Sequence, residues 1–225
     1  MKKLSKKYAA SLALIDKDKK YTFEEACELV KKTATAKFDE SIDVSFNLNI
    51  DPKQADQQLR GTVTLPHGNG KTVRVLAITD KVADATAAGA DFVGQQDMLD
   101  KIQKENWFDF DVIVATPNMM GLLGRMGRVL GPKGLMPNPK TGTVTPDIAS
   151  AIKEIKNGKI SYRNDKDGNL AFNFGKASFD AQKLAENLKA IVETVNRIKP
   201  TSVKGTYILS ATISSTYGPA IRLAL

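Results

Sequence analysis

Cysteine and histidine occur once each in these 225 residues, as Cys27 and His67, and that scarcity removes whole classes of chemistry. A single cysteine excludes an internal disulfide and any zinc site built on several thiolates. The single histidine sits in the turn Pro66-His67-Gly68-Asn69-Gly70 and has no second His or Cys with which to share a metal. A hydrolase would then need a Ser–Lys or paired-carboxylate arrangement, and the sequence marks no such pair. No enzyme and no cofactor is expected. An apolar run of membrane length is missing too, as is a charged-then-apolar leader, because Met1-Lys2-Lys3 opens a lysine-rich segment instead. The expectation is a soluble, cytoplasmic chain with no membrane contact. Internal repeats and low-complexity linkers are also absent.

Acidic residues vanish locally: no Asp or Glu lies between Asp111 and Asp147. Within that zone Gly124 to Val144 reads GRMGRVLGPKGLMPNPKTGTV, with five glycines, three prolines and only positive charges, at Arg125, Arg128, Lys133 and Lys140. Read as a Gly/Pro-rich loop, the stretch has no place in a core, because its backbone groups need water or a partner. It suits close approach to a polyanion, since glycine removes steric bulk and the cations attract. An ordinary surface loop is the bland alternative.

What is present is globular: 42% hydrophobic and 26% charged residues, with a net charge of +8 and pI about 9.4. Such a balance points to nucleic acid or an anionic surface. The charge is uneven. Residues 67–158 hold 11 Lys and Arg against 10 Asp and Glu, while the flanks hold 22 against 15. Seven lysines fall in the first twenty residues. Phosphate attraction should reside mainly in the terminal pieces.

Thr22 and Glu25 form a capping box before a helix from Phe23 to about Lys32. Ile42, Val44, Phe46, Leu48 and Ile50 alternate with polar residues, the mark of a half-buried strand, and Arg60 to Leu65 reads as a second. The style then changes. Val73 to Ile78 and Val112 to Ala115 are nearly continuous apolar runs, as in strands of a parallel sheet covered on both faces. Helices at about 81–88 and 96–105 flank a short strand at 91–93. Thr116-Pro117 and Thr145-Pro146 each place an N-cap Thr before an N1 Pro and should open helices, the second running to Asn157. After Gly158 the strands at 160–163 and 170–174 are expected as a hairpin. An amphipathic helix through Leu184, Leu188, Ile191, Val195 and Ile198 follows, ended by Pro200. A last strand alternates Tyr207, Leu209, Ala211 and Ile213 with a hydroxyl-rich outer face. The expected architecture is an α+β two-layer domain from both chain ends (1–66 plus 159–225), carrying an inserted three-layer, Rossmann-like α/β domain with a parallel sheet at 67–158. Two adjacent crossings would form a hinge.

Two nucleotide motifs fail. Gly70-Lys71-Thr72 ends like a phosphate-binding loop, but Leu65 stands where its first glycine belongs and Lys71 opens a strand rather than a helix. Gly121, Gly124 and Gly127 recur by threes within a helix, unlike the dinucleotide fingerprint, and suit tight helix packing or a partner's close approach. RNA chemistry fares better. Lys37 and Phe38 sit at the mouth of the first long strand, where a ring can pack on base or sugar and a cation on phosphate. Core packing is the commoner fate of such a phenylalanine. Arg163 and Lys166 could reach phosphate from their turn, and Thr216-Tyr217-Gly218-Pro219 offers a hydroxyl and close backbone approach.

Beyond the basic stretch, TAKFDES at 35–41, RGTVTLPHGNGK at 60–71, VRVLAI at 73–78, AGADFVG at 88–94, ATPNMMG at 115–121, RNDKDGN at 163–169 and GKASF at 175–179 resemble the bacterial branch of the L-one family of large-subunit ribosomal proteins. The resemblance implies a discontinuous RNA-binding domain with an α/β insert, free as a monomer and assembled into the 50S ribosomal subunit. It implies binding to large-subunit rRNA in the mobile stalk, a part in release of deacylated tRNA from the exit site, and translational repression through the chain's own operon mRNA. It implies an RNA surface at Lys37, Phe38, Glu40, Ser41, Arg163, Asp165, Lys166, Ser210, Thr216 and Gly218, gathered at one sheet edge. Tyr217 departs from the family's usual Met. An RNA-binding or chaperone module acting off the ribosome, and an α/β enzyme with a vestigial nucleotide fold, are the competing readings.

Overall fold

The computed structural model describes residues 4–225, so the Met1-Lys2-Lys3 opening lies outside the described residues. The chain divides into two compact units, one made of residues up to Gly70 with Ile160–Leu225, the other of Lys71–Lys159.

The discontinuous unit is an antiparallel sheet on helices. β1 (Ser41–Leu48) lies between β7 (Asn169–Lys176) and β8 (Ile208–Ser215), and a short β9 (Ile221–Arg222) follows at the edge beside β8. Alternation does what it should: Ile42, Val44, Phe46, Leu170, Phe172, Phe174 and Ile213 point to one face and are buried. They pack with Ala26, Cys27 and Val30 of α2 (Phe23–Thr33) and Leu184, Leu188, Ile191 and Val195 of α8 (Ala181–Arg197) in one core. Burial also pushes the Cys27 thiol up to about 12, so it stays an inert, protonated core group. α2 starts on the capping box, with Thr22 and Glu25 satisfying each other's backbone donors.

Three expectations fail in this unit. The segments around 164–168 are not a hairpin: β6 (Lys159–Arg163) pairs with β2 (Arg60–Thr64) in a separate two-stranded sheet, while β7 pairs with β1. A Gly-containing turn between two alternating runs signals reversal but not the partner, and the partner here is distant in sequence. Leu209 does not face the core. The register with β1 shifts between Asn47 and Leu48, and this bulge leaves Leu209 57% exposed. The strand at 208–215 is not the last. The lysine-rich start, to which no element is assigned from sequence, holds a helix, α1 (Lys6–Ala13), capped by Ser5 accepting from the Tyr8 N–H.

The second unit is a parallel sheet of β4 (Phe92–Gly94), β3 (Val75–Ile78) and β5 (Val112–Ala115), with β3 central. Alternate residues of β3 serve opposite faces. Leu76 and Ile78 join Leu99 and Ile102 of α4 (Gln96–Glu105), whereas Val75 and Ala77 join Ala85 of α3 (Val82–Ala87) and Ile148, Ile152 and Ile155 of α7 (Ile148–Lys156). That makes the three-layer α/β arrangement. The two Thr-Pro starts open helices, but neither threonine caps as expected. Thr116 precedes a 3-10 turn, Pro117–Met119, that runs directly into a helix at Met120–Arg125, while its hydroxyl makes no cap bond and is buried without a partner. Thr145 is not the cap of α7. Asp147 is, accepting from the Ser150 N–H, because Thr145 Oγ1 turns to the Asp147 N–H.

Candidate nucleic-acid interface

The face of the four-stranded sheet opposite the helices is polar, and cross-strand pairs order it. Lys176 Nζ donates to Ser41 Oγ (2.9 Å), Asn173 Nδ2 to Asp43 Oδ1 (2.8 Å) and Asn47 Nδ2 to Asn169 Oδ1 (2.9 Å). Ser214, Thr212 and Ser210 of β8 stand in register with Asp43, Ser45 and Asn47. Hydroxyls and amides therefore tile the surface.

At the Ser41 end two large rings face solvent. Phe38 is 53% exposed and Tyr217 67% exposed, and their rings meet edge-on at 5.8 Å. Phe38 is thus not a core residue, because the core side of β1 begins only at Ile42 and is already filled by β7, β8 and the helices. Beneath the rings Glu40 is 1% exposed. Its Oε1 accepts from the Ala36 N–H (2.7 Å) and its Oε2 from the Tyr217 N–H (3.0 Å). Burial pushes this carboxyl up, but the N–H donors of Tyr217 and Ala36 outweigh it and hold the group below its ordinary range. Glu40 is therefore a buried charge clamping the two segments that carry the rings. Thr216 Oγ1 accepts from the Ser41 N–H (3.1 Å) and donates to the Ser41 carbonyl (3.3 Å), a second clamp. A Cβ on Gly218 would stand 2.5 Å from Ser215 Oγ, so a larger residue in this tight turn would have to turn that hydroxyl aside. Asp39 fastens the same loop to Ser178 through both carboxylate oxygens.

Arg163, Asp165, Lys166 and Ser210 belong to the other end of β1. Their loop closes at Asn169, in register with Asn47, which is in turn in register with Ser210. Six residues of strand separate Ser41 from Asn47, about 20 Å. The expected single edge is thus two ends of one face, a consequence of β1 lying central with both neighbours antiparallel. Asp165 turns inward on its loop. The Asn169 side-chain amide, then the N–H groups of Asn169 and Asp167, hold its carboxyl below the ordinary range. Lys37, Phe38, Arg163, Asp165, Lys166, Ser210 and Thr216 are exposed, Gly218 is half-buried and Glu40 is buried, and of these Glu40, Asp165 and Thr216 bond to the backbone around them.

The basic stretch belongs to the second unit and is not a plain loop. Its first half is helical, α5 (Met120–Arg125) and α6 (Gly127–Leu130), and Met126 and Leu130 are buried in the core beside Leu123. Apolar residues at helical spacing overrode the glycines. Arg125, Arg128, Lys133 and Lys140 remain outside, and among the described residues none has a carboxylate partner. Lys133 lies over the Phe108 ring at 3.9 Å. A Cβ at Gly121, Gly124 or Gly127 would meet nothing within 4 Å, so these glycines do not serve packing inside the unit.

Sequence reasoning missed the amino-terminal helix beside the rings, where Leu4, Lys7 and Tyr8 line a concavity with Lys37, Phe38 and Tyr217. The signal was present: Ser5 as cap, then Tyr8, Leu12 and Ile15 at helical spacing.

A discontinuous α+β unit with a polar, ring-tipped sheet face, interrupted by a parallel three-layer α/β unit, defines a two-part scaffold with no catalytic constellation among the residues discussed. The chain belongs to the Ribosomal protein L1p/L10e family, whose model matches residues 30–219. It is similar to the large ribosomal subunit protein uL1 of Mesoplasma florum, 57% identical over 226 residues with all of both chains covered. A second relative of the same name, from Mycoplasma capricolum subsp. capricolum, is 54% identical over 224 residues with 99% of each covered. The family is one of structural, non-enzymatic ribosomal proteins.

Proposed function

We propose that this chain is a component of the large ribosomal subunit and that its discontinuous unit binds large-subunit rRNA across the polar sheet face, with Phe38 and Tyr217 as the aromatic end of the site. The observation that carries the reading is the exposed ring pair, held in place by a buried, charged Glu40. Burying a carboxylate is costly unless its hydrogen bonds are filled, so a fold that does so to seat two solvent-facing rings has a partner for those rings. Lys37, Arg163 and Lys166 supply phosphate attraction at the two ends of the face, and Ser41, Ser210, Thr216 and the Gly218 turn supply hydroxyls and close backbone approach. Family membership extends the reading to the stalk beside the exit site, to release of deacylated tRNA, and to repression through the chain's own operon mRNA. The unpaired cations of the second unit, Arg125, Arg128 and Lys140, with Lys133, are its surface for rRNA or exit-site tRNA.

Titration of a large-subunit rRNA fragment against salt tests this. Each neutralised phosphate should add roughly −0.7 to −0.9 to the log–log slope. Phe38→Ala should lose about 1–3 kcal/mol of binding, the range for base–aromatic stacking, while the melting temperature barely moves. A flat slope, or a Phe38→Ala variant that binds like the wild type, defeats the proposal.

A further inference from the structure

The concavity beside Phe38 has walls from three distant parts of the chain. It encloses about 630 Å³, with Leu4, Lys7 and Tyr8 from the start of the chain on one side and Lys37, Phe38 and Tyr217 on the other. A space of that size falls in the range of roughly 300–1,000 Å³ that takes small organic groups. Its chemistry is one-sided. Two lysines line it and no carboxylate does, in a chain with 25 Asp and Glu. The two acids of this loop are engaged elsewhere: Asp39 accepts from the Ser178 N–H and hydroxyl, and Glu40 is turned beneath the rings and occupied by backbone donors. Among the described residues neither Lys7 nor Lys37 has an ion-pair partner. The α1 wall is anchored, since Ser11 donates to the Thr33 carbonyl, Ile15 is buried, and the Tyr21 hydroxyl accepts from the Asp16 N–H.

Aromatic and apolar walls with unpaired cations at the rim suit a planar group carrying negative charge. We propose that an unpaired nucleotide of the bound RNA enters this concavity, its base against the Phe38 and Tyr217 rings and its phosphate neutralised by Lys7 together with Lys37. The amino-terminal helix thereby becomes part of the RNA site. The inference rests on the rRNA-binding reading and adds to it a wall and a ligand class. A protein segment would need both apolar anchors and acidic charge, and it would leave the ring faces without the stacking partner that every base offers.

The test uses the full chain and an rRNA fragment with 2-aminopurine replacing each unpaired adenine in turn. At one or more positions binding should change the fluorescence, and Phe38→Ala should abolish that change. Lys7→Ala, an exposed position that leaves the fold intact, should lower the log–log salt slope by about 0.7–0.9, and Lys7→Arg should restore it. Lys17→Ala, beyond the far end of α1, should leave the slope unchanged. Equal losses in Lys7→Ala and Lys17→Ala would reduce the effect to diffuse attraction and overturn the proposal. A fragment bound alike by wild type and Lys7→Ala, but weakly by Phe38→Ala, would remove the α1 wall and overturn the proposal while leaving the rRNA-binding reading standing. Failure of the wild type to bind the fragment would bring down both.

Discussion

Glu40 is the residue on which the site's geometry turns. It is a buried anion with no cation beside it among its hydrogen-bond partners, stabilised instead by N–H groups of Ala36, four residues away, and Tyr217, 177 residues away in sequence. Its carboxyl sits below the ordinary value of 4.5 in the folded chain. A depressed folded value means the stabilisation is complete above about 4.5 and is lost as pH falls through the lower, folded value. Glu40→Gln turns one acceptor into a donor facing a buried N–H, which should destabilise the discontinuous unit by about 1–3 kcal/mol at pH 7. On acidification the wild type should lose this advantage and the two melting curves should converge. A variant as stable as wild type at pH 7 would mean that burial governs this carboxyl. Sequence marked Glu40 as a site residue only through family resemblance, because a Glu beside a strand gives no sign that it will be buried. Phe38 was open to a core reading for the same reason: exposure depends on which strand positions are already filled.

At the scale of elements, alternation and capping were legible wherever the signal is local. The Ile42–Leu48 pattern, the Thr22–Glu25 box and the Leu184–Val195 stripe each determine a face or a start without help from the rest of the chain. Strand partners and registers were not legible. The loop at 164–168 reads as a hairpin turn, yet it joins two different sheets, and the bulge that turns Leu209 outward depends on β1 as much as on β8. Gly168 shows what that loop demands. Its φ is +80°, and a Cβ there would stand 3.1 Å from the Leu48 carbonyl oxygen and from Ile50 Cγ1, while its own carbonyl accepts from the Leu48 N–H. Gly168→Ala should therefore lower stability by about 1–2 kcal/mol for the left-handed backbone alone, with the crowding added. It should also weaken rRNA binding by displacing Arg163 and Lys166. Equal melting temperatures for the variant and wild type would show that the loop relaxes freely.

For the whole molecule the question is how the work divides between the two units. The discontinuous unit carries 21 Lys and Arg against 15 Asp and Glu, whereas Lys71–Lys159 carries 12 against 10. Every strand of the four-stranded sheet, both helices packed on it and the ring pair lie in the discontinuous unit, which has its own core. The turn before Gly70 is fastened there as well, with Asn187 accepting from the His67 N–H and donating to the Gly68 and Phe174 carbonyls. Replacing Lys71–Lys159 by a short Gly/Ser linker should therefore leave a unit that folds, checked by circular dichroism and a cooperative melt. It should bind the rRNA fragment within about tenfold of the full chain, or about 1.4 kcal/mol. What it should lose is whatever Arg125, Arg128, Lys133 and Lys140 contribute, and tRNA release on ribosomes reconstituted with the shortened chain should be slower. A folded deletion protein that no longer binds the fragment would move the principal RNA site into the inserted unit, where the only candidate surface described is the glycine-lined, acid-free face of α5 and α6 with its unpaired arginines.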